Sequence, residues 1–246
     1  MNRLLLSGAL GKMGKTVTEL APGMGFSVVA GVDAVAGAAA YPIYPGFSRD
    51  IAEQADVMID FSRPSLLPSL IDYAVTKRMP CVLASTGYGE KENQLIREAS
   101  AQIPLFVSAN LSVGVYALKK LIRLAHDLLP QADIEIIEKH HRYKDDAPSG
   151  TAMALLEALS DAETPLSFGR KGSDTRRKPG EIGIHAVRGG TLPGEHQVDF
   201  LMDNEVITVT HSAQSRAIFA QGALRAAEFI LTKSSGLFDM DDLMSA

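Results

Sequence analysis

A single cysteine, Cys81, stands in the whole chain, so neither an intramolecular disulfide nor a cysteine-ligated metal cluster can form. It lies in the apolar run Cys81-Val-Leu-Ala, where a small buried thiol is expected rather than a nucleophile. Positive charge is also short: 24 Lys and Arg against 29 Asp and Glu give a formal net charge of −5. Such a chain has no general attraction for nucleic acid or an anionic membrane surface, and neither is expected as a partner. No apolar run is long enough to cross a bilayer. The opening Met1-Asn-Arg-Leu-Leu-Leu-Ser-Gly has too few apolar residues for a signal-peptide core, and a glycine loop ends it. A cytoplasmic protein is expected. No internal repeat or low-complexity tract interrupts the 246 residues, and their 46% apolar share is ordinary for a globular fold. Any anion site must therefore be a local concentration of positive groups.

One stretch supplies such a concentration. Glu138-Lys139-His140-His141-Arg142-Tyr143-Lys144-Asp145-Asp146-Ala147-Pro148-Ser149-Gly150-Thr151-Ala152 follows the alternating Asp133-Ile-Glu-Ile-Ile, which reads as a half-buried strand. Ala152-Met-Ala-Leu-Leu-Glu-Ala-Leu then reads as a helix that Ser149 or Thr151 can cap. A strand thus delivers two histidines, a basic loop follows, and a helix N-terminus closes the unit. Successive strand side chains point to opposite faces, so His140 and His141 should not do the same job, which opposes a metal site. Lys144 and the free N–H groups near Gly150 and Thr151 suit a carboxylate or phosphate. An imidazole beside that anion is a natural proton donor.

The first half of the chain has a different texture. Arg3-Leu-Leu-Leu-Ser7 is an apolar strand that runs into Gly8-Ala9-Leu10-Gly11-Lys12-Met13-Gly14 and then a helical pattern. That order is the one a dinucleotide fold needs, although Leu10 gives G-x-x-G-x-x-G spacing rather than G-x-G-x-x-G. A second strand from Phe26 ends at Asp33, close to the ~20-residue offset of an acidic residue that binds a ribose 2′-hydroxyl. Ala34 follows where an arginine would clamp a 2′-phosphate, which favours NADH, while Lys12 leaves NADPH open. Strands at Asp56-Val-Met-Ile-Asp-Phe, Cys81-Val-Leu-Ala and Pro104-Leu-Phe-Val alternate with helices and end in polar tips. These tips are Asp60-Phe-Ser, Ser85-Thr86-Gly87 and Ser108-Ala109-Asn110-Leu111. The stretch 34–50 reads as irregular.

The expected fold is α/β, with a Rossmann-type doubly wound parallel sheet and a second α+β domain on an open, mostly antiparallel sheet. The second sheet is expected from the strand before His140 and from extended runs starting at Glu181, Glu195 and Glu205. Asp203-Asn204 reads as a hairpin turn. The basic loop over 170–178 reads either as a solvated excursion or as a lid over an anion. Residues 1–111, completed by a C-terminal helix over 217–246, are expected to bind dinucleotide, and 112–216 to bind substrate.

The stretch 138–152 resembles the E-x-H-H-x-x-K-x-D-A-P-S-G-T-A signature of the 4-hydroxy-tetrahydrodipicolinate (dihydrodipicolinate) reductase family of bacterial lysine biosynthesis. The resemblance extends over the chain, through the loop at Gly8, Asp60-Phe-Ser-Arg-Pro, Ser108-Ala-Asn-Leu-Ser-Val-Gly-Val, Arg188-Gly-Gly-Thr-Leu-Pro-Gly-Glu-His and Ser215-Arg-Ala-Ile-Phe-Ala. It implies NAD(P)H-dependent reduction of a small heterocyclic dicarboxylate, with His140 as general acid and Lys144 as its companion. It further implies substrate binding by His141, Ser149, Gly150 and Thr151. Cofactor binding would fall to Gly8, Ala9, Leu10, Gly11, Lys12, Met13, Asp33, Ala84, Ser85, Thr86, Ser108, Ala109, Asn110 and Leu111. A homotetramer formed through the second domain's sheet is implied as well. Two departures stand out: Asp33-Ala34 differs from members with Glu followed by Arg, and Ala84-Ser85-Thr86-Gly87 stands where many members have Gly-Thr-Thr-Gly. Three rival readings remain: a related oxidoreductase with another substrate, an NADH-sensing regulatory protein without turnover, and a hydrolase using a metal at His140, His141 and Asp145 or Asp146.

Overall fold

Short apolar runs alternate with amphipathic helices over the first hundred residues, and the first sheet follows from that alternation. The computed structural model describes every residue except Ala36, Arg49 and Asp174. In it, β1 (Asn2–Ser7), α1 (Lys12–Leu20), β2 (Phe26–Val32), β3 (Ile43–Tyr44), β4 (Val57–Asp60), α2 (Leu67–Lys77), β5 (Cys81–Leu83), α3 (Glu90–Ser100) and β6 (Pro104–Val107) succeed one another. A second set follows: α4 (Val113–Leu128), β7 (Asp133–His140), α5 (Gly150–Leu159), β8 (Leu166–Phe168), β9 (Ile182–Arg188), β10 (Gly194–Leu201) and β11 (Val206–Ala213). The chain then returns to the first set with α6 (Ala217–Ile230), β12 (Gly236–Phe238) and α7 (Met240–Ser245). Two units result, Met1–Ser112 with Arg216–Ala246, and Val113–Ser215.

The first unit holds a seven-stranded sheet in the order β12-β6-β5-β4-β1-β2-β3, every pair parallel. Leu5, Met58, Cys81, Leu83 and Leu105 cluster with Leu70 and Ile71 of α2 and Ile96 of α3. On the other side α6 packs on β4, β5, β6 and α1, where Phe106 meets Phe229 edge-on at 6.3 Å. Burial on both faces explains why these strands are apolar runs without alternation. Cys81 is among the fully buried residues, and burial pushes its thiol pKa well up.

The second unit carries a five-stranded sheet in the order β11-β10-β7-β9-β8. The sheet expected to be mostly antiparallel is mixed: β10 pairs antiparallel with β7 and β11, whereas β9 pairs parallel with β7 and β8. The physical reason is α5, which lies between β7 and β9 and supplies the long crossover that parallel neighbours need. Met202 N–H donates to the Glu205 carbonyl at 3.0 Å and closes the hairpin around Asp203-Asn204. Ile134, Ile136, Val198, Phe200, Ile182 and Ile184 share one face and bury against Leu155, Leu156 and Leu159 of α5 and Leu118 and Ile122 of α4.

Two more expectations are corrected. The segment 217–246 is not one helix: α6 ends at Ile230, and β12 then adds a parallel edge strand beside β6. The turn at residues 231–235 breaks the helix, and Phe238 then meets Phe229 edge-on at 5.6 Å, while Leu237 stays exposed. The stretch 34–50 is not wholly irregular either, because β3 pairs with β2; Ala36 and Arg49 within it lie outside the described residues.

Gly222 sits mid-helix in α6, where glycine costs ~1 kcal/mol relative to alanine. A Cβ there would stand 1.8 Å from the Leu111 carbonyl oxygen, so the helix approaches that backbone only because the side chain is missing. Gly222→Ala should therefore destabilise the protein by about 1–3 kcal/mol despite its better helix propensity. Urea unfolding checks this, and a stabilised variant would contradict the close packing.

Candidate active site

At the first unit's sheet the strand order reverses between β1 and β4, and ligands of doubly wound sheets bind outside the strand C-termini at that point. The polar tips converge there. Gly8 leaves β1 at φ +72°, and a Cβ on it would come 2.6 Å from the Phe61 carbonyl oxygen. Only glycine combines that backbone conformation with that approach. Gly11 is the N-cap of α1 and no side chain caps the helix, so its first-turn N–H groups, among them those of Lys12 and Met13, are left for a ligand. Lys12 is exposed and Ala9 is buried. The Asp33 carboxylate accepts from Leu10 N–H at 2.9 Å and from Val35 N–H at 3.1 Å, which fixes it beside the glycine loop.

The next two tips are tied together below the surface. Asp60, 1% exposed, accepts from Ser62 N–H at 3.1 Å and from the Ser85 hydroxyl at 2.8 Å, and its carbonyl accepts from Ala84 N–H. Ser85 is therefore a buried strut, while Thr86 beside it is exposed. Ser108 Oγ donates to the Asn110 carbonyl at 2.8 Å, and the Asn110 side chain accepts from Ser112 N–H at 2.9 Å, shaping the turn through Ala109 and Leu111. An exposed helix N-terminus, a close-approach glycine and an oriented carboxylate fit a dinucleotide.

In the second unit the alternation of β7 places Ile134, Ile136, Glu138 and His140 on one face. The first two join the apolar core and the last two end it with charge. Glu138 has no exposed side-chain surface. Its two oxygens take four donors: Arg188 through both terminal nitrogens at 2.7 Å each, His140 Nδ1 at 2.6 Å and Ser149 N–H at 2.9 Å. Burial pushes the Glu138 pKa up, but the hydrogen bonds from Arg188, His140 and Ser149 outweigh it and hold the group below its usual value. A carboxylate so saturated can only accept, so His140 Nδ1 carries the proton. Among the described residues His140 Nε2 makes no hydrogen bond.

His140 is 8% exposed, and burial lowers its pKa more than Glu138 raises it. The ring of His196, in register opposite Glu138 on β10, stands edge-on to it at 5.1 Å. Burial and the neighbouring His140 push the His196 pKa to about 4, so it is neutral near pH 7. Ser149 caps α5: its Oγ accepts from Ala152 N–H at 3.2 Å and lies 3.0 Å from His196 Nε2. The Ser149 hydroxyl is thus committed inside the protein. Gly150 is exposed and Thr151 half-exposed in the first turn of α5. Lys144 pairs with the exposed Asp146 at 2.7 Å. His141 lies just past the end of β7, where its N–H donates to the Leu192 carbonyl.

Glu138, Arg188 and His196 escaped the reading of the sequence as site residues. The period-two spacing of Glu138 and His140 was the available signal; Arg188 and His196 reach the site only through strand register. The basic loop is tethered: Arg170 pairs with Glu135 at 2.9 Å and Glu181 at 2.7 Å, and Arg177 with Glu135 and Asp133. Glu135 is an odd position of β7, so these arginines are engaged on the face opposite His140. Asp174 of this loop is outside the described residues. Among the described residues no cluster of three His, Cys, Asp or Glu side chains suits a metal ion.

Sheets of this order with a glycine loop at the reversal are the nucleotide-binding halves of pyridine-nucleotide oxidoreductases, and the chain is of that class. Residues 2–111 match the family described as dihydrodipicolinate reductase, N-terminus, and residues 114–244 its C-terminus. The chain belongs to the dihydrodipicolinate reductase family. A 4-hydroxy-tetrahydrodipicolinate reductase from Caldanaerobacter subterraneus subsp. tengcongensis is 46% identical over 99% of this chain and 98% of its own. One of the same name from Clostridium novyi is 42% identical over 100% of this chain and 99% of its own. Among solved structures, dipicolinate-bound dihydrodipicolinate reductase from Paenisporosarcina sp. TG-14 shares the fold with a TM-score of 0.76 at 22% identity, covering 97% of both chains.

The buried His196 has a measurable consequence. Its folded pKa of about 4 lies below the 6.5 of a free imidazole, so between those values the unfolded chain binds more protons. Its contribution to stability is present above pH 6.5 and is lost as pH falls toward 4, by at most about 3 kcal/mol. His196→Gln should show a shallower loss of stability between pH 7 and 5 than the parent, read from urea midpoints; parallel losses would contradict the assignment.

Proposed function

We infer that the chain catalyses NAD(P)H-dependent reduction of 4-hydroxy-tetrahydrodipicolinate to tetrahydrodipicolinate, in lysine formation through diaminopimelate. The observation that carries this reading is the open Nε2 of His140 close to the Lys144 ammonium, in the unit where the first turn of α5 begins at Gly150 and Thr151. The curated relatives of that name, 46% and 42% identical over nearly full lengths, support it. The dipicolinate bound in the Paenisporosarcina structure is a planar dicarboxylate of the expected substrate shape. Formally, the 4-hydroxyl is exchanged for hydride and leaves as water, so each turnover takes up one proton.

The first unit is the dinucleotide-binding domain and the second binds substrate and forms the oligomer, a cytoplasmic homotetramer. Bound there, dihydronicotinamide supplies the hydride. Gly8 to Met13 hold the pyrophosphate through backbone N–H groups, and Asp33 takes the ribose hydroxyls. Its negative charge favours NADH, while the exposed Lys12 leaves NADPH usable. Ala84 to Thr86 and Ser108 to Leu111 shape the nicotinamide end of the crevice. His140 donates the proton from Nε2. Lys144 exchanges Asp146 for a substrate carboxylate, and Gly150, Thr151 and His141 hold the carboxylates, with Ser149 fixing the turn. A burial-lowered pKa suits His140 to give up its proton once it has been loaded.

The direct test follows NADH and NADPH absorbance with freshly synthesised substrate. Substrate-dependent oxidation that survives chelator is expected; tight NADH binding without oxidation would favour a sensor instead. His140→Ala should lower kcat by ~100-fold or more with NADH binding retained, as for loss of a general acid. Lys144→Ala and Thr151→Val should raise KM for the substrate more than they lower kcat; an unchanged KM would remove both from the carboxylate pocket.

A further inference from the structure

Resting on the reductase reading, we propose that Glu138, clamped by Arg188, is a positioning residue that holds His140 as the tautomer protonated on Nδ1 and so reserves Nε2 for the proton exchanged with substrate.

The geometry leaves Glu138 little else to do. It has no exposed side-chain surface, so it cannot itself touch a ligand. Oε2 accepts from His140 Nδ1 at 2.6 Å and from Arg188 at 2.7 Å, and Oε1 from Arg188 at 2.7 Å and Ser149 N–H at 2.9 Å. Four donors fill the carboxylate's acceptor sites and fix its plane, and the plane fixes the imidazole. His196 blocks rotation of that ring from the side. Gly194 keeps the far nitrogen clear, since a Cβ there would come 2.8 Å from Nε2. The ring is therefore held at one nitrogen and left open at the other.

Arg188 has a distinct part. An isolated carboxylate against an imidazole would favour the imidazolium and resist release of its proton. The guanidinium neutralises Glu138 while leaving its hydrogen bond to Nδ1 intact. The groups around His140 are then Glu138 on its own strand, Arg188 from β9, His196 from β10, itself bonded to Ser149 at the N-cap of α5, and Lys144, itself paired to Asp146, from the loop. Orientation and charge are thus set by two different residues, and they can be separated by substitution.

In E138Q the one remaining oxygen is claimed by Arg188 and Ser149 N–H, which can only donate. The amide nitrogen must then face His140 Nδ1, and an amide donor there forces the proton to Nε2. Nitrogen-15 NMR of histidine-labelled protein, free of ligands and near pH 8, reads this directly. The parent should show His140 protonated at Nδ1, and E138Q should show it at Nε2. In the assay E138Q should lose ~100-fold or more in kcat with KM within about twofold, as for other wrong-tautomer histidines. Arg188→Met should keep the Nδ1 tautomer but move the His140 titration at least one pH unit upward, because the carboxylate is no longer neutralised.

A parent spectrum with Nε2 protonated overturns the proposal without any variant, so a variant that fails to fold does not leave it undecided. An E138Q protein with unchanged tautomer and kcat overturns it too, as does an Arg188→Met titration that stays put or falls. The spectra need no substrate. Correct tautomers in a protein that reduces nothing would therefore sink the reductase reading alone.

Discussion

A carboxylate without any water-exposed surface is the constraint around which the second unit is arranged. Burying Glu138 as an ion costs several kcal/mol unless every lone pair is met, and breaking such a pair costs about 3–5 kcal/mol. Meeting that demand draws together residues from four places: Arg188 at the end of β9, His140 on β7, Ser149 at the start of α5, and the loop whose Asp146 carbonyl accepts from the same arginine at 2.7 Å. The turn that bears Gly150 and Thr151 is thereby anchored to the strand that bears His140. The spacing of His140 from that turn and a stability requirement are met by the same hydrogen bonds.

The pleat of β7 then separates two kinds of electrostatics. On the inner face, charge is saturated and sealed between apolar residues, so the imidazoles of His140 and His196 lie below their ordinary pKa through burial. On the outer face, Glu135 collects Arg170, Arg177 and His185, and Lys139 pairs with Glu195 at 2.6 Å. Neighbouring residues of one strand thus serve a dry histidine corner and a wet ionic surface. The parity of the chain suffices to keep them apart.

Much of this was legible in the sequence wherever the signal is local. The glycine loop, the apolar strands and the Pro-Ser-Gly-Thr helix start are written in consecutive residues, and the strands and helices they imply are present. The parallel β7–β9 pair was not legible, because β8 and β9 are reached through a long connection whose register no local pattern encodes. Three-residue strands such as β8 and β12 carry no period to read. The charged partner of Glu138 lies 50 residues away at Arg188, and His196 meets Ser149 across 47, so only the folded sheet reveals these two contacts. Ser149 illustrates the limit: its place at the helix start was readable, but the commitment of its hydroxyl to His196 was not.

The first unit is made from both ends of the chain. During synthesis its first six strands emerge without the α6 cover and without the β12 edge, leaving Phe106 exposed and β6 unpaired on one side. The second unit, by contrast, is one uninterrupted segment, Val113–Ser215, and all its strand partners are available before the ribosome reaches α6. Vectorial folding therefore favours completion of the second unit first, with the seven-stranded sheet closing last. A nascent chain can thus hold an assembled His140 corner before it has a finished sheet on which to bind the reductant.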